Sequence, residues 1–321
     1  MTSIHDGFMT SPRQPTLPEE AFGAGLAYHR LIFARSRSAW WTPLLVGLVG
    51  IGLYVAMLLV VVLVLIVGVL AAGTDLATFD VEVRFDLTDP LLLTVLLGSI
   101  ALMLPAYLIA SLIVNGRRVG LISSAAGRIR WGWMLVSLAA ATVVAGVITG
   151  VSALLPADLE GSTGEIITPA ENPQFWATLA VILLVIPFQA AAEEYVFRGY
   201  LMQAIGRWLK HPAFAILLPV PLFVLGHAYD PLGQASVAIF AIAAGWMTWR
   251  TGGLEAAIAL HIVNNLLAFL LGLAGLADVN DSSPGLISFF VSFVMIAGYV
   301  GVIEWLFRRS THHRTLRLTT G

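Results

Sequence analysis

Apolar runs of about 20 residues recur along this 321-residue chain, each bounded by charged or proline-containing segments, and that recurrence restricts it to one kind of fold. Crossing the hydrocarbon of a bilayer takes about 20 apolar residues, and runs meeting that length lie near 43–72, 90–114, 131–155, 175–200, 213–229, 232–250, 254–273 and 285–307. The expectation is an all-α polytopic membrane protein with about eight transmembrane helices. Composition agrees: 58% of residues are hydrophobic and 11% charged, where soluble domains carry about a quarter charged, and the mean hydropathy is +0.88. Trp40 and Trp41 stand where an interfacial aromatic belt would, just before the first run. The fifth run is the shortest and contains Pro219 and Pro221, so a tilted or broken helix is expected there.

The loops test the span count independently. Arg30, Arg35 and Arg37 precede the first run; Arg117, Arg118, Arg128 and Arg130 lie between the second and third; Arg207 and Lys210 follow the fourth; Arg250 follows the sixth; Arg308, Arg309, Arg314 and Arg317 end the chain. The alternate loops carry Asp75, Asp80, Glu82, Asp86, Asp89, Asp158, Glu160, Glu165, Glu171, Asp230, Asp278 and Asp281, with Arg84 as their one basic residue. The positive-inside rule then places both termini in the cytoplasm, as an even number of crossings requires. The domain plan is a cytosolic tail over 1–40, a transmembrane domain over 41–308 and a basic cytosolic tail over 309–321.

Several function classes drop out. The net charge of −2 is partitioned between the two sets of loops, which leaves no nucleic-acid surface. The absence of cysteine removes disulfides, thiolate metal ligands and a cysteine nucleophile. The first forty residues are polar and proline-containing, so no cleavable signal peptide is expected and the first span serves for insertion. No internal repeat is evident, which weakens an inverted-repeat transporter. Gly146 and Gly150 are spaced for a close helix–helix contact, a match common by chance, and Gly-Ser-Thr-Gly at 161–164 falls in a loop expected outside.

Within the fourth run, Glu193, Glu194 and Arg198 are the conspicuous anomaly. A charged side chain near mid-bilayer costs roughly 2.5–3.5 kcal/mol on insertion scales, so such residues face the bundle interior. Glu194 and Arg198 pair at i,i+4 on a helix, which a helix end emerging into water would also do. Glu193 lies about 100° around the helix and points at something else. His227 ends the fifth run beside Tyr229 and Asp230, and by itself fits an interfacial residue. His261 and Asn265 share one face of the seventh helix, Asn264 another; singly, a packing histidine and interhelical amide hydrogen bonds explain them.

Together, one glutamate, two histidines and an asparagine on three helices suggest a single site for adding water to a carbonyl. A desolvated carboxylate serves as general base, an imidazole helps hold the water, and imidazole and carboxamide donors stabilise an oxyanion. The alternative is a divalent metal such as zinc on Glu193, His227 and His261, which would acidify a bound water. No His-Glu-x-x-His helix is present, so a site with no required cofactor is preferred.

Glu193-Glu194-x-x-x-Arg198, Phe223-x-x-x-His227 and His261-x-x-x-Asn265, in this order among eight expected spans, resemble the CPBP family of intramembrane proteases. That family includes the Rce1-type CAAX prenyl endopeptidases and the bacterial Abi and bacteriocin-self-immunity proteins. The resemblance covers about 175–270, which would be the catalytic core. It implies Glu193 as the water-activating base with His227 as partner, His261 and Asn265 at the oxyanion, and Glu194, Arg198 and Phe223 shaping the pocket. It implies an endopeptidase of the bacterial cytoplasmic membrane acting on a membrane-associated peptide or protein, lipid-modified or not. The substrate itself does not carry over. A non-catalytic immunity or scaffold protein of the same fold, or a proton-coupled transporter, are the alternatives.

Overall fold

The computed structural model describes residues 17–73, 87–154, 166–283 and 285–318. Among the described residues, seven helices are long and apolar enough to cross a membrane: α1 Thr42–Ala71, α2 Pro90–Asn115, α3 Trp131–Ser152, α4 Phe175–Trp208, α6 Pro231–Thr251, α7 Glu255–Leu273 and α8 Leu286–Arg309. The shorter apolar helix α5, Pro212–Leu225, occupies the fifth run. The all-α polytopic expectation therefore holds. The 161–164 segment and most of the first two acidic loops lie outside the described residues.

Local chemistry sets several boundaries. Asp89 and Asp230 each stand before a proline, and their carboxylates accept from Leu92 N–H at 2.8 Å and Gly233 N–H at 2.7 Å. An Asp N-cap followed by proline at the first helical position satisfies one orphan donor and removes another. Gly252 ends α6 in the left-handed region at φ 71°, where a side chain would also strike the Arg314 carbonyl.

α5 is broken as its prolines require. Helical geometry holds over Pro212–Leu217 and Val220–Leu225, with a turn at Leu218 and Pro219 between them. Its full length is roughly 21 Å at 1.5 Å per residue, short of a bilayer core of about 30 Å. Non-helical backbone follows Leu225, and Asp230 N–H reaches the Ser282 carbonyl at 2.9 Å in the loop between α7 and α8.

α4 runs unbroken past Arg198 to Trp208, with a π-helical turn at Tyr195–Leu201. It packs against α2 and α7; α7 packs in turn on α3 and α6, and α8 closes the far side against α3 and α6. α1 rests on the second half of α2 and otherwise presents Leu48, Ile51, Leu59 and Leu63 outward, as a lipid-facing helix should. The suggested contact at Gly146 and Gly150 does not form, because a Cβ at either would meet open space.

The segment from Leu17 to Ser38 packs onto the bundle. Tyr28, Leu31, Ile32 and Phe33 are buried, and the Tyr28 hydroxyl donates to the Ile122 carbonyl. Arg35 donates to Ser111 Oγ and to the carbonyls of Ser111 and Gly116. Leu26–Ala27 pairs antiparallel with Thr315–Leu316, so the two terminal segments share one face, the face of the basic loops.

Candidate functional site

A cluster of buried polar and charged side chains lies where α4 meets α7. Glu194 is fully buried, and its Oε1 accepts from Arg198 Nη1 at 2.9 Å and lies 2.8 Å from His261 Nδ1. On the other edge of the imidazole, Nε2 lies 3.3 Å from Glu193 Oε2, an ion-pair distance without hydrogen-bond alignment. Glu193 and His261 are 8% and 3% exposed, so both oxygen–nitrogen contacts are made out of bulk water. Both ring nitrogens thus face carboxylates.

Helix geometry explains which glutamate does what. Arg198 sits one turn beyond Glu194 and inside the π turn, the kind of local widening often found at functional sites. Gly199 lets that turn approach α2's following loop: a Cβ there would lie 2.8 Å from Ile122 Cγ2. The Arg198 guanidinium lies 4.2 Å above the Phe223 ring, which accounts for an aromatic residue in the Phe223-x-x-x-His227 spacing. Phe240 of α6 meets the His261 ring edge-on at 5.0 Å and completes the apolar wall.

Asn265 lies one turn beyond His261 and donates through Nδ2 to Gln189 Oε1 at 3.0 Å; Asn264 donates to Asn265 Oδ1 at 3.2 Å. Gln189, buried one turn before Glu193, is a site residue that the sequence pattern does not single out. Its only signal is a lone amide in an apolar run, at i,i+4 spacing from a glutamate. Phe240 carries no such signal.

His227 stands apart in this state. Its Nδ1 is 2.8 Å from the Phe223 carbonyl and its ring stacks on Tyr229. The Phe223 ring separates it from His261, with centroids 4.8 Å from His227 and 6.2 Å from His261. The structure therefore joins Glu193, Glu194, Arg198 and His261, places Asn265 one turn away, and leaves His227 behind Phe223.

Among the described residues, no group of three or more His, Asp or Glu side chains is placed to hold a metal ion. Glu193, His227 and His261 do not converge as a ligand set here, because His261 is engaged at both nitrogens and His227 is turned to its own backbone.

The depth of the cluster follows from its neighbours. His261 is six residues into α7, roughly 9 Å from its start. Tyr195, next to Glu194, bonds through its hydroxyl to Ser123 Oγ at 2.6 Å in the basic loop before α3. The site therefore lies nearer the end of α7 that adjoins the basic loops. A void of about 10 Å³ borders Arg198, Pro219 and Phe223, room for about one water near the unpartnered Arg198 Nη2.

Fold and site together define a polytopic α-helical membrane protein with a buried carboxylate, imidazole and guanidinium cluster. Within that class, residues 174–267 match the family model described as type II CAAX prenyl endopeptidase Rce1-like, a stretch that contains Gln189, the Glu193 cluster and Asn265. The match supports a CAAX-protease-like core. The chain is 29% identical over 148 residues to the uncharacterized protein YyaK of Bacillus subtilis (strain 168), covering 41% of this chain. That alignment spans 49% of YyaK, about half the relative's length. No solved structure matches the chain.

Proposed function

We propose that this protein is an intramembrane endopeptidase that hydrolyses a peptide bond in a membrane-associated peptide or protein, using a water activated by Glu193. The observation that carries the proposal is the placement of Glu193 and Glu194 on opposite edges of the buried His261 ring. Structural pairing alone would need only one of the two glutamates.

In this mechanism Glu194 is paired with Arg198 and orients His261 through Nδ1. Glu194 is engaged through Oε1 by both Arg198 and His261, whereas Glu193 makes only the unaligned 3.3 Å contact to His261; Glu193 takes a proton from water as the water oxygen adds to the scissile carbonyl. His261 Nε2 and the Asn265 amide, on one face of α7, donate to the resulting oxyanion, a contribution of about 3–4 kcal/mol per donor. The tetrahedral intermediate then collapses, the C–N bond breaks, and Glu193 returns its proton to the leaving amine. Substrate entry displaces the Gln189 contact of Asn265 and the direct Glu193–His261 contact.

His227 acts at the entrance as the water-positioning partner of Glu193. It reaches that position when the proline-broken α5 shifts Phe223. The basic face is assigned to the cytoplasm by the positive-inside rule, so cleavage takes place in the cytoplasmic leaflet.

The experiment is digestion of a panel of membrane-anchored peptides, lipid-modified and unmodified, by the purified protein in ¹⁸O-water. The expected product carries one ¹⁸O in its new C-terminal carboxylate. An intact panel with a folded protein would move the assignment to a non-catalytic membrane partner.

A further inference from the structure

A second cavity lies on the basic face, away from the α4–α7 cluster. It has a volume of about 890 Å³, within the range of small-molecule sites, and is formed by the loop entering α3 and the chain after α8. Arg128, Arg130, Arg317, His312 and His313 line it, and no carboxylate does among the described residues.

The charges in it are not equivalent. Arg130 is buried and already matched: its Nε and Nη2 reach Glu255 at 2.9 and 2.7 Å, and Nη1 donates to the Thr251 carbonyl. Arg128 and Arg317 are exposed and have no carboxylate partner among the described residues. Trp133 borders the same cavity, is 3% exposed, and its indole N–H is buried without an acceptor. Two exposed guanidinium groups without carboxylate partners on one cavity suit an anionic oxygen acceptor.

The rest of the lining selects among anions. Ile129, Trp131 and Leu316 give the cavity an apolar side, and Trp131 is 69% exposed at the first residue of a membrane span, the usual level of lipid headgroups. Clusters of basic residues next to a membrane span suit acidic phospholipids. We propose that this cavity binds the phosphate of an anionic phospholipid headgroup, held by Arg128 and Arg317. The site is separate from the proposed catalytic cluster and does not depend on that activity.

The test uses the full chain in maltoside detergent, with its thermal midpoint followed during titration of dioctanoyl phosphatidylglycerol, dioctanoyl phosphatidylcholine or inorganic phosphate. The phosphatidylglycerol is expected to raise the midpoint saturably and the phosphatidylcholine to leave it unchanged. R128Q/R317Q is expected to weaken the apparent affinity about 25-fold, roughly fivefold per basic contact, while R128K/R317K retains most of it. Inorganic phosphate acting through the same two arginines would support the anion site with a free phosphate as its ligand. Equal shifts by both lipids, or unchanged affinity in R128Q/R317Q, would overturn it. Should that variant not fold, native mass spectrometry of the wild type decides: preferential retention of phosphatidylglycerol supports the site, and equal retention overturns it.

Discussion

Glu194 Oε1 and His261 Nδ1 are 2.8 Å apart, 67 residues distant in sequence and buried between two helices. This contact ties the guanidinium of Arg198 to the imidazole that faces Glu193, so the Glu194–Arg198 ion pair also aims the histidine.

The first prediction concerns that ion pair. Glu194→Gln removes the anion and leaves the Arg198 charge buried, which costs about 3–5 kcal/mol when a buried pair loses one partner. The double variant E194Q/R198M removes both charges and should recover much of that loss. Denaturation in detergent micelles measures both; additive losses would contradict the pairing.

Backbone proximity supplies the second. A Cβ on Gly206 would lie 1.8 Å from the His29 carbonyl oxygen, a backbone atom that cannot yield by changing rotamer. Gly206→Ala should therefore cost about 1–3 kcal/mol or more and lift the Tyr28–Ala34 segment, seen as new cleavage by a soluble protease near that segment. Gly146→Ala, where a Cβ meets open space, should be neutral or gain about 0.5–1 kcal/mol from the stiffer helix.

The spans, the broken fifth helix, the Glu194–Arg198 pair and the grouping of Glu193 with His261 are read from the amino-acid sequence for one physical reason, whereas the Glu194–His261 contact is not. Apolar runs expose each ionisable residue as a cost that must be offset by a partner. Gln189 and Phe240 are not legible as site residues, because an amide and an aromatic are ordinary inside a helix bundle. The packing of Tyr28, Leu31 and Phe33 is equally hidden: their short apolar stretch lies in a polar segment and is buried against α4's end, a long-range contact that no local pattern encodes. The position of His227 depends on how a doubly proline-broken helix turns, which spacing alone does not set.

A third prediction follows from His29 and the acidity of the medium. Burial is the largest effect on His29 and lowers its pKa, with Arg30 acting the same way and the Lys210 carbonyl, 2.9 Å from Nε2, opposing. Its Nδ1 is buried without a partner. The unfolded chain binds the proton more readily, so this contribution to stability is complete above about pH 6.5 and is lost as pH falls below it. His312, lowered first by burial and then by Arg130, adds in the same direction. The thermal midpoint should fall between pH 7.5 and 5.5, and H29Q should flatten that slope in part. An unchanged slope in H29Q would contradict the assignment.

The central claim is that Glu193 activates the water. The most direct measurement is the initial cleavage rate of the best membrane-anchored peptide by wild type and by Glu193→Gln, matched for thermal midpoint, with chelator present throughout. Wild type should keep its rate in chelator, and Glu193→Gln should lose about 10²–10⁴-fold, the usual contribution of a general base. A Glu193→Gln protein that cleaves at the wild-type rate would contradict the account.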